Sequence, residues 1–249
     1  MKPTVLMAAA LLAPGLLRAQ SVAERVARAP DGVVRMSYTA RAGVCGNGTN
    51  INTSRDRDSQ WESDCDPGPV RVVFKKTGSA INHVEVRVGG SWRANAPPAT
   101  DLGMVRAPDA ARYLLDVARK NSSTSNQSIL AAQLADSVTV WPELLAMAKD
   151  KDLPKKTRQS ALFWVGQSAG DKVVETMGAI AEDASEDREV REAAVFGLSR
   201  RPADESVPAL IKISESDRDP EIRRNAMFWL SRSDDPRATA WFEKVLTRR

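Results

Sequence analysis

The sequence predicts an α+β chain in which an α-solenoid of stacked helical hairpins follows a small β-rich unit stapled by a disulfide. Three observations carry this prediction. The C-terminal half repeats itself at spacings of 33 and 32 residues, the N-terminal half holds three short runs of alternating apolar residues, and two cysteines, Cys45 and Cys65, lie 20 residues apart. At 249 residues with 42% hydrophobic and 27% charged side chains, the chain has ordinary globular composition and enough apolar material to build a core. The predicted divisions are 1–19, 20–105 and 106–249.

The first division is a leader. Lys2 supplies a positive start, Val5 to Leu17 form an apolar stretch broken only by Pro14 and Gly15, and Leu17-Arg18-Ala19 offers a small residue for cleavage near Ala19-Gln20. This is the anatomy of a secretory signal peptide. The run falls short of the roughly 20 residues a membrane anchor needs, and nothing later in the chain reads as a membrane span. The mature chain is therefore expected in the periplasm or secreted. In such a compartment Cys45 and Cys65 are expected to pair, closing a loop that adds roughly 3 kcal/mol in the chain-entropy model. Two Cys without a nearby His make a poor metal site.

The β-rich unit begins with a short amphipathic segment, Ser21 to Ala29. Val33 to Ala40 alternates as a strand; Val70–Lys75 and His83–Val88 read as two more, joined around Gly78-Ser79 and closed by Gly89-Gly90 before Trp92. The polar stretch from Gly43 to Pro69 reads as a loop ordered by the bridge. So few strands bury little surface, so the staple and contact with the helices must complete the unit. Ala96-Pro97-Pro98-Ala99 marks the transition to helix.

In the helical division three segments align: Thr157 to Val165, Val190 to Leu198 and Ile222 to Leu230. The other helix of each unit repeats in step, through the apolar pairs Leu144/Met147, Met177/Ile180, Leu210/Ile213 and Phe242/Val245. Asp219-Pro220 and Asp235-Pro236 each place an N-cap before a first-turn proline, and Pro154, Asp171, Asp187 and Asp204 punctuate the other starts. Weaker copies at Pro108–Lys120 and Ser125–Asp136 bring the expected total to about nine helices.

A two-helix unit of this length, whose second helix opens Asp-Pro-x-Val-Arg and continues with Ala and Leu-Gly positions, resembles the short HEAT repeats, of the type also seen in phycobilisome-lyase relatives. Asp219-Pro220-Glu221-Ile222-Arg223 with Ala226 and Leu230 carries the resemblance best. Asp187 to Leu198 lacks only the proline, and Leu153 to Gly166 keeps Arg158, Ala161, Val165 and Gly166. The resemblance covers roughly 108–249 and implies a curved solenoid that binds other macromolecules. The lyase chemistry does not carry over, because no residue here is placed to perform it.

On a helical wheel Thr157, Ala161, Trp164 and Val165 share one face with their repeat equivalents, and form the expected buried stripe. Arg158, Arg191 and Arg223, one per unit, read as a salt-bridge ladder. Phe163, Phe196 and Phe228 lie roughly 80–100° or more off the stripe. Stacking would set them in a row along the inner surface, flanked by Gln159, Glu192 and Arg224 and by Gln167, Arg200 and Arg232. Such a row is either a protein-binding groove with a charged border or lateral packing between layers. The partner-binding expectation rests on those nine residues.

Charge and chemistry narrow the function classes. The pI of about 9.2 invites a nucleic-acid reading. The helical division, however, carries 23 basic and 23 acidic residues and has no excess charge for phosphates. The single histidine, His83, excludes multi-histidine metal sites and reads as a strand residue with a satisfied hydrogen bond. No phosphate loop or His-Glu-x-x-His motif is present. The loop from Asn47 to Asp58 is rich in oxygen ligands but lacks the spacing of a calcium-binding EF-hand loop. No metal and no cofactor are expected. The first expectation is a non-enzymatic scaffold or adaptor in the cell envelope that binds a protein partner, with no nucleic acid. The alternatives are an enzyme with a site near His83, Asp56 and Asp58 at the seam of the two units, or a carbohydrate- or surface-binding protein using Trp61 and Trp92. The hairpin's alternation places Trp92 in the core.

Overall fold

A computed structural model describes residues 20–53, 65–167 and 172–247. The predicted leader, Asp56, Asp58, Trp61 and Asp171 lie outside the described residues. A short helix α1 (Val22–Arg28) opens the described chain. Ser21 Oγ accepts from the Glu24 backbone while the Glu24 carboxylate accepts from the Ser21 backbone, satisfying two donors that seven residues of helix could not satisfy internally.

Six strands follow: β1 (Gly32–Tyr38), β2 (Cys45–Asn47), β3 (Asn50–Asn52), β4 (Val70–Thr77), β5 (Ala80–Val88) and β6 (Thr100–Met104). The main sheet has the order β5-β4-β1-β6, antiparallel except for the parallel β1/β6 pair; β2 and β3 form a separate two-stranded hairpin. The expected loop from Gly43 to Pro69 thus contains a hairpin, turned at Gly48-Thr49. Cys45 and Cys65 are bonded, with Cα atoms 5.1 Å apart. Beside them Gly46 and Asp66 exchange backbone hydrogen bonds of 2.9 and 3.2 Å.

Alternation along the strands gives the sheet two unlike faces. Val34, Met36, Tyr38, Val70, Val72, Phe74, Val84, Val86 and Val88 are buried on one face, against helices. The Tyr38 hydroxyl crosses to that layer and donates to the Ala131 carbonyl at 2.6 Å. Arg41 donates from its backbone to Leu134 O (2.8 Å) and from Nε to Gln133 O (3.0 Å). Asn121 Nδ2 donates to Ile81 O at 2.8 Å. The helical stack therefore supplies the second layer that a four-stranded sheet needs.

The stack runs α2 (Ala107–Lys120), α3 (Ser125–Gln133), α4 (Trp141–Lys149), α5 (Lys155–Gly166), α6 (Val173–Glu182), α7 (Arg188–Ser199), α8 (Ala203–Ser216), α9 (Pro220–Leu230) and α10 (Pro236–Thr247). Helices pair as hairpins α2/α3, α4/α5, α6/α7 and α8/α9, and the second helices α3, α5, α7 and α9 pack successively on one another. Asp219 caps α9 by accepting from Glu221 N at 2.9 Å, and Asp235 accepts from Arg237 N at 2.9 Å at the start of α10. The aligned apolar pairs are buried in α4, α6 and α8, but not in α10. There Val245 is exposed and Phe242 half-buried, while Ala238 and Trp241 turn inward. The last helix is thus rotated by about one position. Trp241 supplies the larger apolar surface and its Nε1 donates to Glu215 at 2.9 Å.

Two devices lock layer to layer. At the C-terminus of α5, a Cβ on Gly166 would lie 2.6 Å from Gly197 O and 2.9 Å from Gly197 Cα, so the two helices approach through glycine on both sides. The space beside Gly197 is filled by Met177, whose sulfur lies 2.7 Å from where a Cβ would stand. The second device is arginine. Arg158 donates from Nε to Ala148 O, at the end of the first helix of its own unit (2.9 Å), and from both Nη atoms to Glu186, in the loop of the next unit. Arg191 repeats this with Ala181 O (2.7 Å) and Asp217 (2.6 Å). Both ion pairs are buried, with every side chain at 6% exposure or less. The Arg158 guanidinium holds the Glu186 carboxyl below its ordinary range, and Glu186 in turn holds Arg158 protonated more firmly. Arg223 keeps only the carbonyl half, donating to Asp217 O at 2.7 Å.

Candidate functional site

The second helices α5, α7 and α9 present the aromatic side chains singled out above. Phe163 and Phe196 are half-buried and stack on each other, 6.0 Å between centroids and 13° between planes. Phe196 then meets Trp229 of the next layer at 4.9 Å, tilted by 53°. Trp164 and Trp229 each hold their preceding phenylalanine edge-on at 5.0 Å. The row is therefore a ladder of five rings rather than three. Within it Phe163 and Phe196 serve contact between layers as well as the surface.

Trp164 and Trp229 were expected in the buried stripe. Both are half-buried instead and belong to this face. Trp164 Nε1 donates to Asn126 Oδ1 of the preceding layer at 2.9 Å, whereas Trp229 Nε1 is buried without a partner among the described residues. The signal that could have found them is their place immediately after each phenylalanine, one helical step from the stripe.

Phe228 stands apart, 52% exposed, at the end of the ladder. The Arg232 guanidinium lies over its ring at 5.8 Å. Of the expected border, Gln159 is half-buried and donates to Glu189 O at 3.2 Å, Glu192 is half-buried, and Arg224 is exposed and ion-paired with Glu221 on its own helix. Gln167, Arg200 and Arg232 are exposed. The structure thus brings together an exposed ring, a partly covered aromatic ladder leading to it, and the Arg232 guanidinium over that ring.

The other candidates fare differently. His83 is exposed on β5, and no described residue hydrogen-bonds its ring, contrary to the satisfied strand histidine expected. It lines a shallow cleft of about 350 Å³ with Thr49, Glu85, Ser123 and Gln127. Trp92 is not core: half-buried, it lies over the guanidinium groups of Arg35 and Arg71 at 4.9 and 5.6 Å. Its partner in the carbohydrate reading, Trp61, lies outside the described residues, as do Asp56 and Asp58 of the enzyme reading. Among the described residues no cluster of three or more His, Cys, Asp or Glu is placed to hold a metal, and no helix is long and apolar enough to cross a membrane.

No curated protein and no solved structure matches the chain. A family model does match, over residues 174–249, and it describes HEAT repeats. Within the stack of helical hairpins that follows the disulfide-bonded β unit, residues 174–249 are thus similar to HEAT repeats.

Proposed function

We propose that this chain is a non-enzymatic interaction scaffold of the cell envelope, exported by its leader, whose second-helix face takes a protein partner at and around Phe228. The observation that carries the reading is the exposed phenylalanine at the end of a preformed aromatic ladder, with the Arg232 guanidinium over its ring. Aromatic and arginine side chains are the enriched anchors of protein interfaces, and a ring already held in place loses little entropy on binding. HEAT repeats are commonly protein-interaction scaffolds, and stacked repeats offer an extended surface suited to that role. Export is supported by the signal-peptide pattern of residues 1–19 and by the disulfide, which belongs in an oxidising compartment. The repeats are of the short type that resembles phycobilisome-lyase relatives, used here for binding alone.

The test is capture of partners from the native envelope by the mature chain and by its Phe228→Ala/Arg232→Ala variant, with melting curves for both. The reading expects one protein held by the wild type and lost by the variant at unchanged melting temperature. A partner retained equally by both would refute the assignment of this face.

A further inference from the structure

The second face of the main sheet is turned away from the helices and is strongly basic. Register places Val33, Lys75 and His83 in one row across β1, β4 and β5, Arg35, Val73 and Glu85 in the next, and Ser37, Arg71 and Arg87 in the third. Arg71 and Arg87 are thus direct cross-strand neighbours, an arrangement of like charges that costs stability unless something answers it. Glu85 answers Arg87, and Asp101 answers Arg35 at 2.8 Å.

Nothing acidic answers Arg71 among the described residues. Its guanidinium is instead clamped by neutral oxygens: Nη2 donates to Gly90 O at 2.6 Å, Nε to Gly89 O and Gly90 O at 3.3 and 3.2 Å, and Nη1 to Ser37 Oγ at 3.4 Å. Those carbonyls are presented by consecutive glycines at φ 70° and 62°, a left-handed pair that larger residues adopt at a cost. Trp92, two residues on, lies across Arg35 and Arg71. Arg93 beside it is exposed and has no acidic partner among the described residues.

Arg35, Arg71, Arg87, Arg93 and Trp92 line a cleft of about 650 Å³; Arg35 and Arg87 are paired with Asp101 and Glu85, which leaves the charges of Arg71 and Arg93 unanswered among the described residues. The amide side chains of Asn47 and Asn95 and the apolar walls of Val73 and Pro97 complete it. The volume falls in the range of small-molecule sites. A cleft lined by one sign of charge concentrates ions of the other, and planar guanidiniums match oxyanions through paired N–H groups.

We infer that this cleft binds a small anion bearing two or more oxyanion groups, held by Arg71 and Arg93 with its body against Trp92. The shared chemistry is the oxyanion; its source is a polycarboxylate or a phosphate compound. The experiment is calorimetric titration of the mature, disulfide-bonded chain with citrate and, separately, with pyrophosphate, each against sodium chloride of equal ionic strength. Three proteins are compared: wild type, Arg93→Glu in the cleft, and Lys212→Glu on the exposed surface of α8, which changes net charge equally at a distance. The inference expects one saturable site, weakened at least tenfold by Arg93→Glu and less than twofold by Lys212→Glu. Binding of citrate alone assigns a carboxylate source, of pyrophosphate alone a phosphate source, and of both a general oxyanion site. No saturable heat with either anion, or equal weakening by the two variants, would overturn it.

Discussion

Arginine behaves differently in the two regions of this molecule. In the helical stack Arg158 and Arg191 are buried, each spanning a carbonyl of its own unit and a carboxylate of the next. Their charge is used up inside the structure. On the open face of the sheet, Arg71 is oriented by carbonyls and Arg93 stands in solvent, so charge is left over. A buried guanidinium without its carboxylate would be intolerable, whereas a half-exposed one clamped by neutral acceptors is tolerated and available. The comparison separates structure from function by a local criterion: whether the protein itself neutralises the cation. By that criterion the stack's ladder is architecture and the sheet's cluster is a site.

The largest expected effect comes from breaking the architecture. Arg158→Ala leaves the Glu186 carboxylate buried and unpaired and frees the Ala148 carbonyl, and is expected to destabilise the chain by about 3–5 kcal/mol in urea unfolding. A loss under about 1 kcal/mol, the range of surface pairs, would break the comparison. The same pair predicts a pH dependence. The Glu186 carboxyl is depressed below its ordinary value of 4.5, chiefly by its hydrogen bond from Arg158. Its contribution is therefore fully present above the unfolded value and is lost as pH falls through the folded one. Acid titration of stability is expected to be shallower in Arg158→Ala than in the wild type.

Next in size is the staple. Reducing Cys45–Cys65 opens a loop with a sequence separation of 20, worth about 3 kcal/mol in the chain-entropy model. Hydrogen exchange should show the loss in β2 to β5 and leave α6 to α9 protected. Equal loosening of both regions would mean that the sheet and the stack unfold as one unit.

Gly166→Ala is smaller still, about 1–3 kcal/mol for forcing a methyl into a packed contact. The carbonyl of Gly197 that it would strike is backbone and cannot turn aside. At the small end, Phe228→Ala is expected to change stability by about 0.5 kcal/mol or less, as for other surface positions. A cost like that of Arg158→Ala would move Phe228 from site to architecture.

These contrasts also explain what could be read before the structure. The stack was legible because its information is periodic: Arg158, Arg191 and Arg223 recur in register, and each helix pair is local in sequence. Periodicity failed in α10, where Trp241 turns inward in place of Phe242, and at Trp164 and Trp229, which are half-buried on the aromatic face. The sheet was half legible. β4 and β5 alternate and are joined by a short turn, whereas β6 pairs in parallel with β1 more than sixty residues away and carries Gly103 and an exposed Met104. The basic cleft was hidden because register, not composition, gathers its residues; counted along the chain, 11 basic and 9 acidic residues between Gln20 and Val105 look unremarkable in balance. Strand alternation ends at the left-handed pair Gly89-Gly90, so it does not place Trp92 in the core. The phenylalanine row was found, but the tilt between layers that joins Phe196 to Trp229 comes from helix packing, which a wheel does not contain.

The proposed partner site is the second-helix face around Phe228. Placing a photo-crosslinking phenylalanine at position 228, and in a second protein at position 212 on α8, tests it directly in the cells that make the protein. A discrete protein adduct is expected from 228 and none from 212. An adduct from 212 alone, or none from 228, would overturn the assignment.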